Sequence, residues 1–584
     1  MTTTSPSTPP GTPPGIPPEA AGTAVRGAGS GEKGLKTGAL GLLSSIVVGV
    51  ASTAPAYSLA ASLGYVVITT SGDGIVGVKA PAIMLLAFIP MYFIAVAYAE
   101  LNKAEPDCGT TFTWAARAFG SKVGWMGGWG IIAADVIVMA NLAQIAGSYS
   151  YRLVGADSLA DSTFWSTVAG VLWIAIMTYI CYRGIELSAR LQYCLLSVEL
   201  IVLVAFAVYA LVKAYAGDAP DSSLHPSLSW LWPSGITLGG MVSATLIAVF
   251  IYWGWDSAVS INEETADPER TPGRAAILST LLLLATYAIV SIATVAFAGV
   301  GDSGIGLGND ENADDVFAAL GASVFGGSTF GKLMEILLVI TVLTSASAST
   351  QTTILPTART SLSMAAYKAI PERFARVHPR YLTPSDSTIW MGIISILFYV
   401  GLTLTSDNIL ADSIAAVGLL IAFYYGLTGF ACVWYYRHTL THSARDFLMR
   451  GVIPLLGGVM LLAAFFIAAY QYADPDYGYT KLFGIGGVFV LGIGSLLLGV
   501  ILMYVWQARR PQFFRGETLP KRTDELVLAG GGSTEQTYRL PDSGEMPTMI
   551  APDLSNLPPG QRAVNPYTGE EVGNSTPPEE PPAR

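Results

Sequence analysis
Twelve apolar stretches separated by polar connections occupy most of the chain: 39–68, 80–101, 124–150, 164–182, 190–213, 236–262, 275–299, 333–358, 388–405, 410–435, 450–470 and 482–506. Each is near or above the roughly 20 residues that carry an α-helix across about 30 Å of hydrocarbon, and 388–405 is the shortest. The pattern predicts an all-α polytopic membrane protein with 12 transmembrane helices. The ends are different. Residues 1–34 are rich in Pro, Thr and Gly, lack the apolar core of a signal peptide, and are expected to form a disordered cytoplasmic leader. Residues 511–584 are polar, end in PPEEPPAR, and are expected to form a disordered cytoplasmic tail.

Composition narrows the class further. Only 12% of residues are charged, against about 25% in a soluble domain. With the amino terminus inside and the segments alternating, the inside loops hold 20 basic residues, among them Lys33, Lys36, Arg270, Arg274 and Arg359. The outside loops hold five: Lys79, Arg152, Lys213, Lys332 and Lys481. This bias predicts a multi-pass protein of the inner membrane with both termini cytoplasmic. The loop 300–331 is then outside; it is acidic (Asp302, Asp310, Glu311, Asp314, Asp315) and has room for a short helix near 313–322. Cys108, Cys181, Cys194 and Cys432 lie in or beside apolar segments without metal spacing and read as buried, inert thiols. No catalytic or metal-binding constellation appears: there is no HExxH, P-loop, nucleophile elbow or CxxC. The sequence therefore points away from an enzyme, assigns no cofactor and no metal, offers no nucleic-acid motif, and sets no oligomeric state.

Two segments are interrupted. In the first, Ala51-Ser52-Thr53-Ala54 precedes Pro55, which lacks an amide donor and clashes with the preceding turn, so the helix is expected to break near 50–54. In the sixth, Tyr252-Trp253-Gly254-Trp255-Asp256 places a helix-weakening glycine beside an acid inside the apolar run. A charge there costs about 2.5–3.5 kcal/mol or more, so Asp256 must face a polar cavity, find a partner or be protonated. The two breaks lie five segments apart in helices of opposite direction. That is the arrangement of an inverted repeat, helices 1–5 against 6–10, and of a transport site built from broken helices. The chain accordingly divides into 35–235, 236–436 and 437–510, the last holding two helices outside the repeat.

The freed amides from Ser52 through Ala54 or Ala56, with the Ser52 and Thr53 hydroxyls, suit a carboxylate. Asp256 suits an ammonium or a coupling proton, and Tyr252, Trp253 or Trp255 a cation–π contact. Glu199 and Asp135 are further buried acids and candidates for proton coupling, and helix three also carries Asn141 and Gln144. The hydroxyl run containing Thr344, Ser345 and Ser347 offers hard oxygens to sodium, although such residues are also ordinary glue between membrane helices. Glu263, Glu264, Arg270 and Arg274 form a charged group at the inner mouth.

The stretch FIYWGWDSAVSINEETADPERTPGRAAI (250–277) resembles a signature of the amino acid–polyamine–organocation permeases, and AEPDCGTTFTWAARAFGSKVGWMGGW (104–129) resembles that family's short helix before the third span. The resemblance covers about residues 35–510. It implies a five-plus-five inverted-repeat fold with broken helices 1 and 6, alternating access, and an amino acid or related amine as substrate. By position, it assigns Ala51, Ser52, Thr53 and Ala54 to the substrate carboxylate. Tyr252, Trp253 and Gly254 line the amine pocket, Trp255 and Asp256 stand near the family's gate positions, and Glu263, Glu264, Arg270 and Arg274 form a cytoplasmic gate. The first break departs from the family's Gly-Ser/Thr-Gly pattern: alanines and Pro55 narrow the space for a carboxylate and keep a simple amine or polyamine open. The expected function is uptake of an amino acid or amine, with a proton favoured over sodium as the coupling ion. The alternatives are an exchanger without net ion coupling and a ligand-binding membrane sensor.

Overall fold
In the computed structural model, the chain is described from residue 33 to 521, apart from 314, 406–408, 476, 479 and 483, together with the backbone of 527–528 and 563–564. Most of the leader, most of the tail and Asp314 lie outside the described residues. The helices are α1 (Leu42–Ser52), α2 (Pro55–Ile68), α3 (Ala80–Ala104), α4 (Thr111–Phe119), α5 (Ser121–Leu153), α6 (Asp157–Ala160), α7 (Thr163–Arg183), α8 (Ile185–Ala216) and α9 (Leu238–Ile251). They continue as α10 (Ser257–Ser260), α11 (Thr271–Ala298), α12 (Val316–Phe325), α13 (Thr329–Ala366), α14 (Ser385–Thr405), α15 (Ile409–Tyr435), α16 (Ala444–Asp446), α17 (Ile453–Tyr472) and α18 (Gly487–Arg509). Among the described residues, strands are confined to three two-stranded ladders of two residues each.

Among the described residues, 11 helical stretches are long and apolar enough to cross a membrane; the first joins α1 to α2 across its break. The sixth predicted segment is in two pieces, the 14-residue apolar α9 and the single turn α10. The most apolar window of the first span is 94% buried, whereas those of α7 and α18 are 28% buried and turn Phe164, Leu172, Leu497 and Ile501 outward. A helix that is apolar all round but half-exposed is the form a lipid-facing span takes. The broken first span is instead the axis of the bundle, packed against α8, α11 and α13, while α2 meets α9.

The break in the first span follows from its residues. Pro55 occupies the first position of α2, where its missing N–H costs nothing. Ala54 before it adopts the left-handed conformation, φ 47° and ψ 66°, which a residue with a Cβ adopts at a cost of about 1–2 kcal/mol. In the sixth segment Gly254 takes φ +116°, a conformation that glycine alone supplies cheaply.

Several boundaries differ from the expectation. Lys33 and Gly34, expected in the leader, instead begin a docked strap that runs to Leu40. Leu35 is buried with Cys108 and Leu362, and the Ala39 and Leu40 amides donate to the Glu264 carbonyl at 2.8 and 3.1 Å. Residues 511–521 are not free tail, because Phe513 and Leu519 bury themselves against Phe112 and Trp125. Phe514 packs against the same cluster, so three apolar side chains in an otherwise polar run dock it. The segment predicted to end at 358 continues as helix to Ala366, which brings Arg359 inside α13. The short helix of the acidic loop is α12, and the Asp315 side chain caps it by accepting from the Ala318 amide at 3.0 Å. Cys108, Cys181 and Cys432 are buried as expected, but Cys194 is exposed on α8.

Candidate functional site
The two breaks touch. A Cβ placed on Gly254 would lie 2.7 Å from the Ser52 carbonyl oxygen, so the sixth segment presses its backbone onto the first. The Ser52 and Ser257 hydroxyls are 2.7 Å apart across this junction. Ser349 of α13 donates to the Ser52 carbonyl at 2.8 Å, and Ser58 reaches back to the Thr53 carbonyl at 2.6 Å.

The amides expected to hold a ligand's carboxylate are taken. Thr53 and Ala54 donate to the Val50 and Ala51 carbonyls in tight turns, at 3.1 and 3.2 Å. The Ala56 amide, near the start of α2, donates to Glu199 Oε1 at 2.8 Å, and the Tyr57 amide donates to the Ser345 hydroxyl at 3.2 Å. Ser345 in turn donates to Glu199 Oε1 at 2.7 Å. A helix amino end favours an anion, and here the protein supplies its own from α8.

The hydroxyl residues considered for sodium make separate contacts. Ser345 is spent on Glu199, Thr344 donates to the Thr341 carbonyl at 3.1 Å within α13, and Ser347 Oγ is buried without a partner among the described residues.

The second break is lined by rings. Trp253 and Trp255 sit two residues apart and would point to different faces of a regular helix. Gly254 unwinds the chain between them, and both reach the same tyrosine pair on α15. The Trp253 indole N–H donates to the Tyr424 hydroxyl, and Tyr424 donates to Asp256 Oδ2 at 3.2 Å. Trp255 packs on Tyr425 and on the edge of Tyr98, each with ring centroids 5.2 Å apart. Tyr252 packs edge-on to Tyr287 at 5.0 Å, and the Tyr287 hydroxyl donates to the Ile251 carbonyl that ends α9, at 2.7 Å. The Tyr252 hydroxyl and the Trp255 indole N–H are buried without partners among the described residues. Such atoms cost free energy unless something pairs with them.

Asp135 on α5 is buried and accepts from the Thr357 hydroxyl. No salt bridge to Asp135 or Asp256 occurs among the described residues. Asn141 donates to Ser413, and Gln144 accepts from the Tyr399 hydroxyl at 2.5 Å; both lie in helix-to-helix contacts of their own.

The charged group at the basic end is wired differently from the expectation. Arg270 and Arg274 are exposed and do not pair with Glu263 or Glu264. Glu264 instead meets Arg359 at 2.6 Å with both side chains buried, and Glu263 meets Lys33 at 2.5 Å. Arg270 and Arg274 stand at the solvated start of α11, whereas Arg359 projects from within the bundle. A buried carboxylate is compensated by the cation that shares its burial. Lys33 also contacts Asp107 at 2.8 Å. Burial alone would raise the Asp107 carboxyl, but the Lys33 ammonium and hydrogen bonds from Lys33, Ser363 and the Gly109 amide hold it below the usual carboxylate range. Asp107, Cys108 and Glu263 bring ligand-type atoms within 4.8 Å of one another, with the Lys33 ammonium among them.

The sequence reading missed Tyr98, Tyr424, Tyr425, Lys33 and Arg359. A Tyr-Tyr pair in the middle of the apolar run 410–435 was the one available signal for the ring cluster.

Comparison with known proteins bears on this geometry. The sequence profile described as amino acid permease matches residues 40–507. The chain is 25% identical over 490 residues to an uncharacterized transporter of Mycobacterium tuberculosis, covering 81% of this chain and 93% of that protein. It is 24% identical to an arginine/ornithine antiporter of Latilactobacillus sakei, covering 72% and 89% of the two chains. It is 22% identical to a low-affinity putrescine importer of Escherichia coli, covering 66% and 80%.

Proposed function
The chain belongs to the amino acid permease family, and from that premise we propose that it imports an amino acid or related amine by alternating access, coupled to protons. The observation that carries this reading is the meeting of two broken helices inside the bundle, Gly254 against Ser52, with the acids Asp256 and Asp135 buried in the bundle and no basic side chain paired to either among the described residues. Broken helices supply backbone polar groups at membrane depth, and uncompensated acids there serve cations or protons. In this reading the second break meets the amine end of the substrate, with Tyr252 and Trp255 offering a hydroxyl and an indole N–H. Asp256, bonded to Tyr424, belongs to the layer of rings that shuts the path. Glu199 holds the first break and is the second proton candidate.

The proposed architecture is twelve spans in a five-plus-five inverted repeat, lying in the cytoplasmic membrane with the basic end inside. Proton coupling is favoured over sodium because the Ser345 hydroxyl, one of the oxygens considered for sodium, is committed to the Glu199 carboxylate. The occupied amides of the first break favour an amine-dominated substrate, in keeping with the putrescine importer among the relatives. Exchange is the second reading, favoured by the arginine/ornithine antiporter among them.

The test is uptake of radiolabelled amino acids and polyamines into proteoliposomes that start empty, under an imposed proton or sodium gradient. Accumulation driven by the proton gradient is the expected result. Flux that requires preloaded substrate assigns exchange, and binding without flux refutes transport.

A further inference from the structure
We propose that Lys33 and the strap 33–40 form a latch that holds the basic end of the transporter closed, so that the segment just after the leader must release before the path opens on that side. The inference rests on the alternating-access reading, whatever the substrate. The strap travels with the sixth segment: the Ala39 and Leu40 amides donate to the Glu264 carbonyl, the Ala266 amide donates to Leu40, and Lys33 itself pairs with Glu263. Its other grip is on different helices. Lys33 Nζ lies 2.8 Å from Asp107 Oδ2. Asp107 is fixed to α4 by Thr113 at 2.9 Å, to α13 by Ser363 at 2.7 Å and to the C-cap of α13 by Tyr367 at 2.9 Å. One ammonium thus ties the unit that carries both breaks to the helices around it. Rocking of the breaks against α5 and α13 separates Glu263 from Asp107, so the ammonium must leave one of them. Breaking a part-buried ion pair that is hydrogen-bonded to two carboxylates is costly, and that cost opposes opening.

The latch has a reporter beneath it. Cys108 is fully buried, its Sγ lies 3.8 Å from Lys33 Nζ, and its amide donates to Glu263 at 3.0 Å. Withdrawal of Lys33 and Glu263 uncovers that thiol.

The experiment uses the full chain with Cys181, Cys194 and Cys432 replaced, reconstituted in liposomes without substrate, and follows alkylation of Cys108 by membrane-permeant N-ethylmaleimide. Lys33→Gln is expected to label about tenfold faster, since losing a part-buried ammonium shared by two carboxylates shifts the closed–open balance by about that factor. Lys33→Arg, which keeps the charge, is expected to stay within about threefold of the parent. A Lys33→Gln variant that labels at the parent's rate overturns the latch. If Lys33→Gln does not yield monodisperse protein, Lys33→Gln with Glu263→Gln is measured instead. It leaves no unpaired carboxylate opposite Asp107, which keeps its contacts to Gly109, Thr113, Ser363 and Tyr367. The same acceleration is expected, and a parent-like rate again overturns the proposal. Because the readout needs no substrate, a failed latch with intact uptake and a working latch without uptake are distinguishable.

Discussion

The two helix breaks touch but are stabilised in opposite ways. The first is held by polar side chains from other helices: Glu199 and Ser345 take the opening amides of α2, and Ser349 takes the Ser52 carbonyl. The second is held mainly by rings, with Tyr287 on the Ile251 carbonyl and Trp255 lodged against Tyr98 and Tyr425, and it leaves the Tyr252 hydroxyl and the Trp255 indole N–H without partners among the described residues. The Tyr57 hydroxyl and Glu199 Oε2 near the first break are also buried without partners among the described residues, but the opening amides of α2 are held by side chains fixed on other helices, which makes that break the scaffold. A break that keeps buried donors in reserve is where a ligand gains from binding, because it pairs groups that otherwise cost roughly 1–3 kcal/mol each.

The contrast is best broken where the two halves meet. Gly254→Ala forces a Cβ to 2.7 Å from the Ser52 carbonyl at φ +116°. Strain and overlap together are expected to cost roughly 2–5 kcal/mol and to abolish uptake, read as a lowered Tm in detergent with transport at background. Near-normal uptake would mean that the breaks do not need this contact.

Next in size is Glu199. Glu199→Ala strands the Ala56 amide and the Ser345 hydroxyl and is expected to cost roughly 1–3 kcal/mol, again seen in Tm. Glu199→Gln keeps an acceptor and is expected to retain most of the stability while weakening the pH dependence of uptake. A Gln variant with the parent's pH profile would leave Glu199 as scaffold alone. The smallest effect is expected for Trp253→Phe, which removes one neutral donor to Tyr424 and lowers the uptake rate by roughly 2- to 10-fold without moving Tm by more than a few degrees.

Much of this arrangement was legible in the residues because its causes are local. Pro55 after a run of small residues announced the first break, and Gly254 beside Asp256 announced the second, since backbone strain and a misplaced charge are properties of a short stretch. The partners were not legible. The tyrosines on α3 and α15 that surround Asp256 are distant in sequence, and an apolar span containing tyrosines looks the same whether they face lipid or an acid. The charged pairs misled for a related reason: Arg270 and Arg274 are near Glu263 in sequence, but burial selects the partner, and burial is decided by the fold. Glu199, which periodicity placed at mid-membrane without indicating which helix end it would meet, accepts from the Ala56 amide near the start of α2.

The most direct test of the division of labour is the equilibrium Kd of a transported substrate for Tyr252→Phe and for Ser349→Ala, measured by scintillation proximity on purified protein. The account predicts that Tyr252→Phe weakens binding by roughly 3- to 10-fold, the worth of one hydrogen bond, while Ser349→Ala leaves Kd within about twofold and lowers Tm instead. Weakened binding in Ser349→Ala with unchanged binding in Tyr252→Phe would contradict it and move the substrate to the first break.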